Sequence, residues 1–213
     1  MRQRLQTKVL SVALAATMIL APSMTAMASS AGSTGTTSTP ATVAPVVTTA
    51  ENTANSTVAG VGTSTVSGTY AAKSVSGAAV KANAATVSAN LGLGNNEKAY
   101  VTTWDVTPKT APKAIASLQI GADSVGATMG PVVQVNVNKM SGGKLTSLEG
   151  QGGTVPMSFG IPANFRGDAT FAMVKVVSGG QYTILQDQDT NPNTLTVNVS
   201  AGNAAYAMIK FVG

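Results

Sequence analysis

The C-terminal stretch, residues 169–212, constrains the fold more than any other part of the sequence. In residues 194–200 leucine and valine alternate with threonine, asparagine and serine, and this period of two is typical of a β-strand with one buried and one solvated face. Residues 171–177 are apolar on both faces, which predicts a central strand. The pair Gly179-Gly180 follows and supplies the positive φ angles of a tight hairpin. The stretch therefore predicts an antiparallel sheet.

The last strand, residues 204–211, carries two sets of apolar side chains on opposite faces: Ala205, Ala207, Ile209 and Phe211 on one, Tyr206 and Met208 on the other. An apolar strand at this place has to pair into a sheet, because a lone strand cannot bury its own surface. We therefore expect Ile209 and Phe211 to point into the core. In the preceding strand we expect Thr194 and Thr196 to face solvent.

Upstream, alternation and turn residues predict further strands over 66–81 (a hairpin turning at Ser76-Gly77), 99–106, 132–140, 144–148 and 155–161. Residues 112–125 are the best helix candidate, with Pro112 suited to the first turn and Thr110 as the expected cap. Residues 86–91 are long enough for one helical turn. The pattern favours a mainly β protein, an antiparallel β-sandwich with one short helix.

The N-terminal region has a different composition. Residues 1–28 have a basic start, an apolar run over 9–21 and the small-residue motif Ala26-Met27-Ala28, which predict a secretory signal peptide cleaved before Ser29. The apolar run is shorter than the ~20 residues that span a bilayer. Residues 29–65 are rich in Ser, Thr, Ala and Gly and are expected to be a low-complexity disordered linker. The sandwich domain is then residues 66–213.

Composition excludes several kinds of chemistry. The chain has no cysteine and no histidine, which removes disulfides, thiolate nucleophiles, Ser-His-Asp machinery and the commonest transition-metal ligand. Three of the 13 Lys and Arg residues lie in the leader and the others are scattered singly, so no basic patch for nucleic acid is present. The spacing Ser141-x-x-Lys144 encloses Gly142-Gly143, which predicts a hairpin turn rather than a catalytic serine-lysine pair.

The run TFAMVKVVSGGQYTILQDQDTNPNTLTVNVSAGNAAYAMIKF resembles the closing strands of small exported β-sandwich proteins of Gram-positive, Clostridia-type bacteria. The pieces AYVTTWDV, GPVVQVNVNKMSGG and VPMSFGIPAN fit the same kind of protein, so the resemblance covers residues 68–212. It implies a fold and a secreted or extracellular location, in some cases at the cell wall. It implies no catalytic residues.

Two groups of residues are candidates for binding. Oxygen-bearing side chains alternate in the segment DQDTNPN, and a Ca²⁺ site would use Asp187, Asp189, Asn191 and Asn193. The alternative, which we favour, is a polar turn in which these side chains bond their own backbone. Trp104 and Tyr100 share a strand face and would suit a sugar, or simple packing, which is favoured because aromatic residues make up only 4% of the chain.

These observations favour an exported, non-enzymatic β-sandwich module with a structural or binding role toward an unidentified extracellular or cell-wall partner. They favour neither a nucleic-acid partner nor a membrane association after the signal peptide is removed, and no cofactor beyond the Ca²⁺ considered above. A carbohydrate-binding module that uses Trp104 and Tyr100 is the alternative. A secreted hydrolase that depends on carboxylates is a weaker one, because the acidic residues are far apart in the sequence except Asp187 and Asp189.

Overall fold

A computed structural model describes residues 54–211; the predicted signal peptide, its cleavage site and residues 29–53 of the predicted linker lie outside this range. The elements are a 3-10 turn (Ala54–Ser56), β1 (Thr57–Val58), β2 (Gly62–Thr63), β3 (Gly68–Tyr70), β4 (Ala78–Val80), α1 (Ala84–Asn90), β5 (Lys98–Asp105), α2 (Pro112–Asp123), β6 (Thr128–Ser141), β7 (Lys144–Ser147), β8 (Thr154–Gly160), β9 (Thr170–Val177), β10 (Tyr182–Gln186), β11 (Thr194–Ser200) and β12 (Gly202–Phe211).

Two sheets form the body of the fold. The large sheet has the strand order β10-β9-β12-β6-β5-β3, with β7 also paired to β6, and the small sheet has the order β11-β8-β4. All of their pairings are antiparallel except that of β3 with β5. The strands β1 and β2 form a separate hairpin. The prediction of a mainly β, antiparallel sandwich is therefore confirmed.

The main core lies between the two sheets. Alternate residues of β6 face it, and so do the alternating apolar residues of β8 and β11: Val133, Val135, Val137, Val155, Met157, Phe159, Leu195, Val197 and Val199. Each of these side chains is at most 1% exposed. The alternation therefore predicted correctly which side of each strand faces the core.

A second apolar layer lies on the opposite, outer face of the large sheet, where α2 packs. Leu118 and Ala122 of the helix meet Ala172 and Val174 of β9 in this layer. Gly121 allows the close approach, because a Cβ at that position would lie 2.6 Å from Val174 Cγ1. As predicted, β9 is a central strand with two buried faces.

The last strand serves both layers. Tyr206 and Met208 point into the core between the sheets, whereas Ile209 belongs to the layer under α2. Ile209 is fully buried, but Phe211 is only partly buried at the edge of that layer. The expectation that Phe211 points into the core is confirmed only in part, because it packs against this layer on the same side as Ile209 but remains partly exposed.

Several local predictions were wrong. Residues 66–81 do not form a hairpin: β3 joins the large sheet and β4 joins the small one. Thr110 does not cap α2, since its hydroxyl bonds Thr107 and the N-cap residue is Ala111 without a side-chain bond. The helical turn expected over residues 86–91, in contrast, is present as α1, where Asn83 Oδ1 accepts the Thr86 N–H at 2.9 Å.

The predicted linker reaches to residue 65, yet the structure has a 3-10 turn and two strands between residues 54 and 63. Val58 is buried there. Asn55 Nδ2 donates to the Ala72 carbonyl at 2.6 Å, and Ser64 Oγ and Tyr70 Oη are 2.7 Å apart. This N-terminal hairpin, residues 54–63, therefore belongs to the folded unit.

Candidate functional site

Within residues 54–211, α2 covers one end of the outer face of the large sheet and leaves the other end accessible. Val132 and Ala207 lie under α2. The next residues on the same face belong to a surface that we call the amide face, which consists of Tyr100, Trp104, Gln134, Asn136, Asn138 and Asn203. Gln134, Asn136 and Asn138 are only partly buried, and Asn203 is exposed.

Strand register brings the amide face together from three strands. On β5 and β6, Trp104 lies opposite Gln134 and Tyr100 lies opposite Asn138. On β6 and β12, Asn136 lies opposite Asn203. Directly opposed residues in a sheet point to the same side, so the aromatic side chains of β5 lie beside the amides of β6 and β12 on one surface. The expected pairing of Trp104 and Tyr100 on one face agrees with this register.

Hydrogen bonds tie the middle of the amide face into a flat group. Gln134 Nε2 donates to Asn203 Oδ1 at 2.9 Å and to Asn136 Oδ1 at 3.2 Å. Tyr100 Oη is 3.0 Å from Thr69 Oγ1, which fixes the phenol. The Gln134 oxygen, both the Asn136 and Asn203 amide nitrogens and the Asn138 amide have no hydrogen-bond partner among residues 54–211. These groups remain available to a ligand.

The two aromatic residues give the amide face its apolar surface. Trp104 is 38% exposed and Tyr100 is half-buried. They stand four residues apart on β5, which corresponds to about 13 Å. Thr102 lies between them, is 7% exposed, and has a hydroxyl without a hydrogen-bond partner among residues 54–211.

The predicted Ca²⁺ ligands lie in a second region, the loop after β10, and three of them form consecutive turns with their own backbone. Asp187 Oδ1 accepts the Asp189 N–H at 3.1 Å. Asp189 Oδ1 accepts the Asn191 N–H at 2.8 Å, and Asn191 Oδ1 accepts the Asn193 N–H at 3.0 Å. This geometry is that of the polar-turn interpretation.

The same loop lies over the outer face of the small sheet. The Thr196 hydroxyl bonds both Asp189 Oδ2 and the Ser158 hydroxyl. The Thr194 hydroxyl donates to Asp189 Oδ2 at 3.1 Å, and the Thr196 N–H donates to Asp187 Oδ1 at 2.9 Å. The carboxylates therefore satisfy hydroxyl and N–H groups of β11 that would otherwise face water.

Because this loop lies over β11, one expectation about its threonines was wrong. Thr194 and Thr196 were expected to face solvent, but they are 1% and 2% exposed. The N-terminal hairpin adjoins the loop, because a Cβ at Gly60 would lie 2.5 Å from Asn191 Nδ2. A Cβ at Gly77, whose φ is +92°, would lie 2.1 Å from the Thr57 carbonyl oxygen. Gly77 is thus required for the hairpin to pack on the small sheet.

A cavity of about 230 Å³ adjoins the loop and is lined in part by Asp187, Asp189, Phe171 and Thr194. Burial raises the pKa of Asp187 and the nearby Asp189 charge adds to the rise, while the Thr196 N–H counteracts it. Within residues 54–211 no three His, Cys, Asp or Glu side chains lie close enough together to hold a metal ion.

The remaining perturbed carboxylates have structural partners. Burial alone would raise the pKa of Asp105, but hydrogen bonds from Ser74 and Lys73 lower it below its ordinary value. The Lys139 ammonium, 2.6 Å from Glu97, lowers the pKa of Glu97. Both acids therefore hold the fold together.

Ser141 and Lys144 pair across the predicted glycine turn at the end of β6, and both are exposed. The S-x-x-K spacing therefore lies on a hairpin, as expected.

No protein-family model, curated protein or solved structure matches the chain. In the described part of the chain neither helix has the length and hydropathy needed to cross a membrane.

Sequence reasoning found Trp104 and Tyr100 but did not single out the amides of the candidate site. The signal for Gln134, Asn136 and Asn138 was their alternation with valine in β6. Asn203 lies beside these amides because of the register between β12 and β6, which cannot be read from the sequence alone.

Proposed function

We propose that the chain is an exported, non-enzymatic β-sandwich module that acts outside the cell by binding a partner at the cell surface or cell wall. Of the candidate ligands, a carbohydrate has the best chemical fit. The leader-like residues 1–28 and the resemblance to exported Gram-positive proteins support export. The observation that supports binding is the amide face.

The amide face has the chemistry that a sugar needs. Sugars present hydroxyl groups around a ring whose faces are weakly apolar. Trp104 and Tyr100 offer aromatic surface for such a ring. The free groups of Gln134, Asn136 and Asn203 offer both donors and acceptors for its hydroxyls. The bond from Gln134 to Asn203 holds these groups in position before the ligand arrives, which lowers the entropic cost of binding.

A binding role without catalysis is supported by the state of the carboxylates. Asp105 accepts two backbone N–H groups, Glu97 is ion-paired, and Asp189 is held by Thr194 and Thr196. None of these acids lies on the amide face.

Depletion from solution by insoluble polysaccharides tests the proposal. We expect cell-wall sacculi, chitin, cellulose or xylan to retain the wild-type protein. Trp104→Ala should weaken retention at least about tenfold, because central aromatic residues dominate most binding surfaces. Tyr182→Ala is the matched control, since Tyr182 is an aromatic residue 41% exposed at the other end of the same sheet. Equal retention of wild type and Trp104→Ala would contradict the proposal.

A carboxylate-dependent hydrolase is a second candidate function. Asp187 and Asp189 line one cavity, and the pKa of Asp187 is raised, as in acid–base pairs whose two members have different environments. Hydrolysis of polysaccharide or ester substrates that is lost in Asp187→Asn would support this candidate. We expect no turnover.

The same loop provides the test for Ca²⁺. Calorimetric titration of wild type and Asp189→Ala with Ca²⁺ should give no heat of binding in either protein, because Oδ1 of Asp187, Asp189 and Asn191 already accepts a backbone N–H. Binding that Asp189→Ala abolishes would establish a calcium site.

A further inference from the structure

The length of the amide face sets the shape of its ligand. Trp104 and Tyr100 are separated by about 13 Å along β5, which is longer than one sugar ring. Asn136 lies between them, opposite Thr102 on β5. A ligand that uses both aromatic residues and the intervening amide is therefore a chain of sugars that runs along β5 and β6.

Beyond Tyr100 and Asn138, the next opposed residues on the same face include two apolar side chains, Met140 and Leu145, beside Lys98. Met140 lies opposite Lys98 of β5 on one side and Leu145 of β7 on the other. Leu145 is 51% exposed. The Asn138 amide, which has no partner among the described residues, therefore stands next to an exposed apolar patch formed by Met140 and Leu145.

An amide beside an apolar patch fits an acetamido group. Such a group presents an N–H, a carbonyl oxygen and a methyl group within a few bonds. Asn138 offers an acceptor for the N–H and a donor for the carbonyl. Met140 and Leu145 offer apolar surface for the methyl, whose burial against them favours binding. A hydroxyl in the same place would leave the patch exposed to water.

The charges on and around the amide face further restrict the class of ligand. None of the six side chains of the amide face is charged. Lys139 lies on the opposite side of β6 from Met140 and is paired with Glu97, so Lys98 is the charge that stands beside Met140 on this face. A polysaccharide with a charge on every unit would find no row of opposite charges here.

We infer that the ligand is an extended, uncharged chain of acetamido sugars that lies along β5 and β6, with Trp104 and Tyr100 against its rings and an acetamido group on Asn138, Met140 and Leu145. This inference rests on the proposed function of the amide face, and it specifies the class of glycan and the mode of binding.

Calorimetry with matched oligosaccharides on the full-length secreted protein tests the inference. The probes are the β-1,4-linked hexamers of N-acetylglucosamine and of glucose, which differ only in the acetamido group, and the N-acetylglucosamine dimer. The acetamido hexamer should bind at least about threefold more tightly than the glucose hexamer and at least about tenfold more tightly than the dimer.

Two variants locate the contact. Leu145→Ser should reduce the preference for the acetamido hexamer and leave the affinity for the glucose hexamer unchanged. Ile120→Ser is the control, because Ile120 is an apolar residue 60% exposed on α2, away from the amide face. Both positions are exposed, so both variants are expected to fold.

The outcomes separate the inference from the proposed function. Equal affinity for the two hexamers, or for hexamer and dimer, overturns the inference, as does an unchanged preference in Leu145→Ser. Retention on an insoluble polysaccharide through Trp104 without binding of either hexamer overturns the inference and leaves the proposed function standing. Self-association of the chain that is lost in Trp104→Ala would overturn both, because a second copy would then occupy the face.

Discussion

The outer faces of the two sheets begin from the same sequence pattern and end in different states. In β11 the polar residues Thr194, Thr196 and Asn198 alternate with leucine and valine, and in β6 Gln134 and Asn136 alternate with valine. The two threonines of β11 are buried, whereas the amides of β6 remain accessible.

The difference comes from the segments that pack on each outer face. The loop at residues 187–193 and the N-terminal hairpin lie on the small sheet, while α2 stops short of the amide face. Alternation along a strand identifies the side chains that point away from the core, but it does not say what packs on them. The segments that pack on each face determine its chemistry. The threonine hydroxyls of β11 bond carboxylates of the loop, whereas the amides of β6 have donor and acceptor groups that a ligand can reach.

The N-terminal hairpin, which packs on the small sheet, can be removed by truncation. A variant that begins at residue 66 should be less stable than one that begins at residue 54 by at least about 3 kcal/mol, because it loses the burial of Val58 and the hydrogen bond of Ser64 to Tyr70. Urea unfolding of the two variants gives the difference. Equal stability would mean that the N-terminal hairpin contributes nothing to the fold.

One pair of identical substitutions compares the two faces directly. Thr196→Val should cost about 2 kcal/mol, because it removes the hydrogen bond to the Asp189 carboxylate and the one that the Ser158 hydroxyl makes. Thr102→Val should be neutral or stabilising, because the Thr102 hydroxyl makes no hydrogen bond within the described part of the chain. Thermal unfolding of both variants provides the measurement, and similar losses in the two would contradict the described difference between the faces.

The sequence predicted the side of each strand well and the pairing of strands less well. Alternation located the buried residues of β8 and β11 because a strand's side chains point to opposite sides whatever its neighbours are. It did not reveal that β3 and β4 join different sheets, since Ser76-Gly77 is as compatible with a chain crossing between layers as with a hairpin. The amide face was only partly predictable for a similar reason: Trp104, Asn136 and Asn203 meet through register.

The charge of Asp187, in the loop that packs on the small sheet, has a smaller and pH-dependent effect on the stability of the fold. The pKa of Asp187 is raised in the folded state by burial and by Asp189, so the folded protein loses stability as pH rises from the ordinary range of an aspartate through the raised pKa. Asp187→Asn keeps the Oδ1 acceptor and removes the charge. The variant should therefore gain up to about 1 kcal/mol over wild type at neutral pH, a modest value because the group is partly exposed.

Denaturant unfolding of the Asp187→Asn variant and of wild type across the acid range measures this difference, which should shrink as pH falls. The comparison cancels the opposite contributions of Asp105 and Glu97, whose lowered pKa values stabilise the fold above the ordinary range and lose that effect as pH falls. A stability difference between the two proteins that does not change with pH would show that the charge of Asp187 does not affect the stability of the fold.

The most direct test of the account compares one asparagine on each face. Asn136→Ala and Asn198→Ala remove the same side chain from the middle of β6 and of β11, and each should change stability by less than about 0.5 kcal/mol. Retention on the polysaccharide that binds wild type should fall at least about fivefold for Asn136→Ala and stay unchanged for Asn198→Ala. Equal retention of the two variants, or a loss confined to Asn198→Ala, would contradict the claim that the amide face is the binding surface.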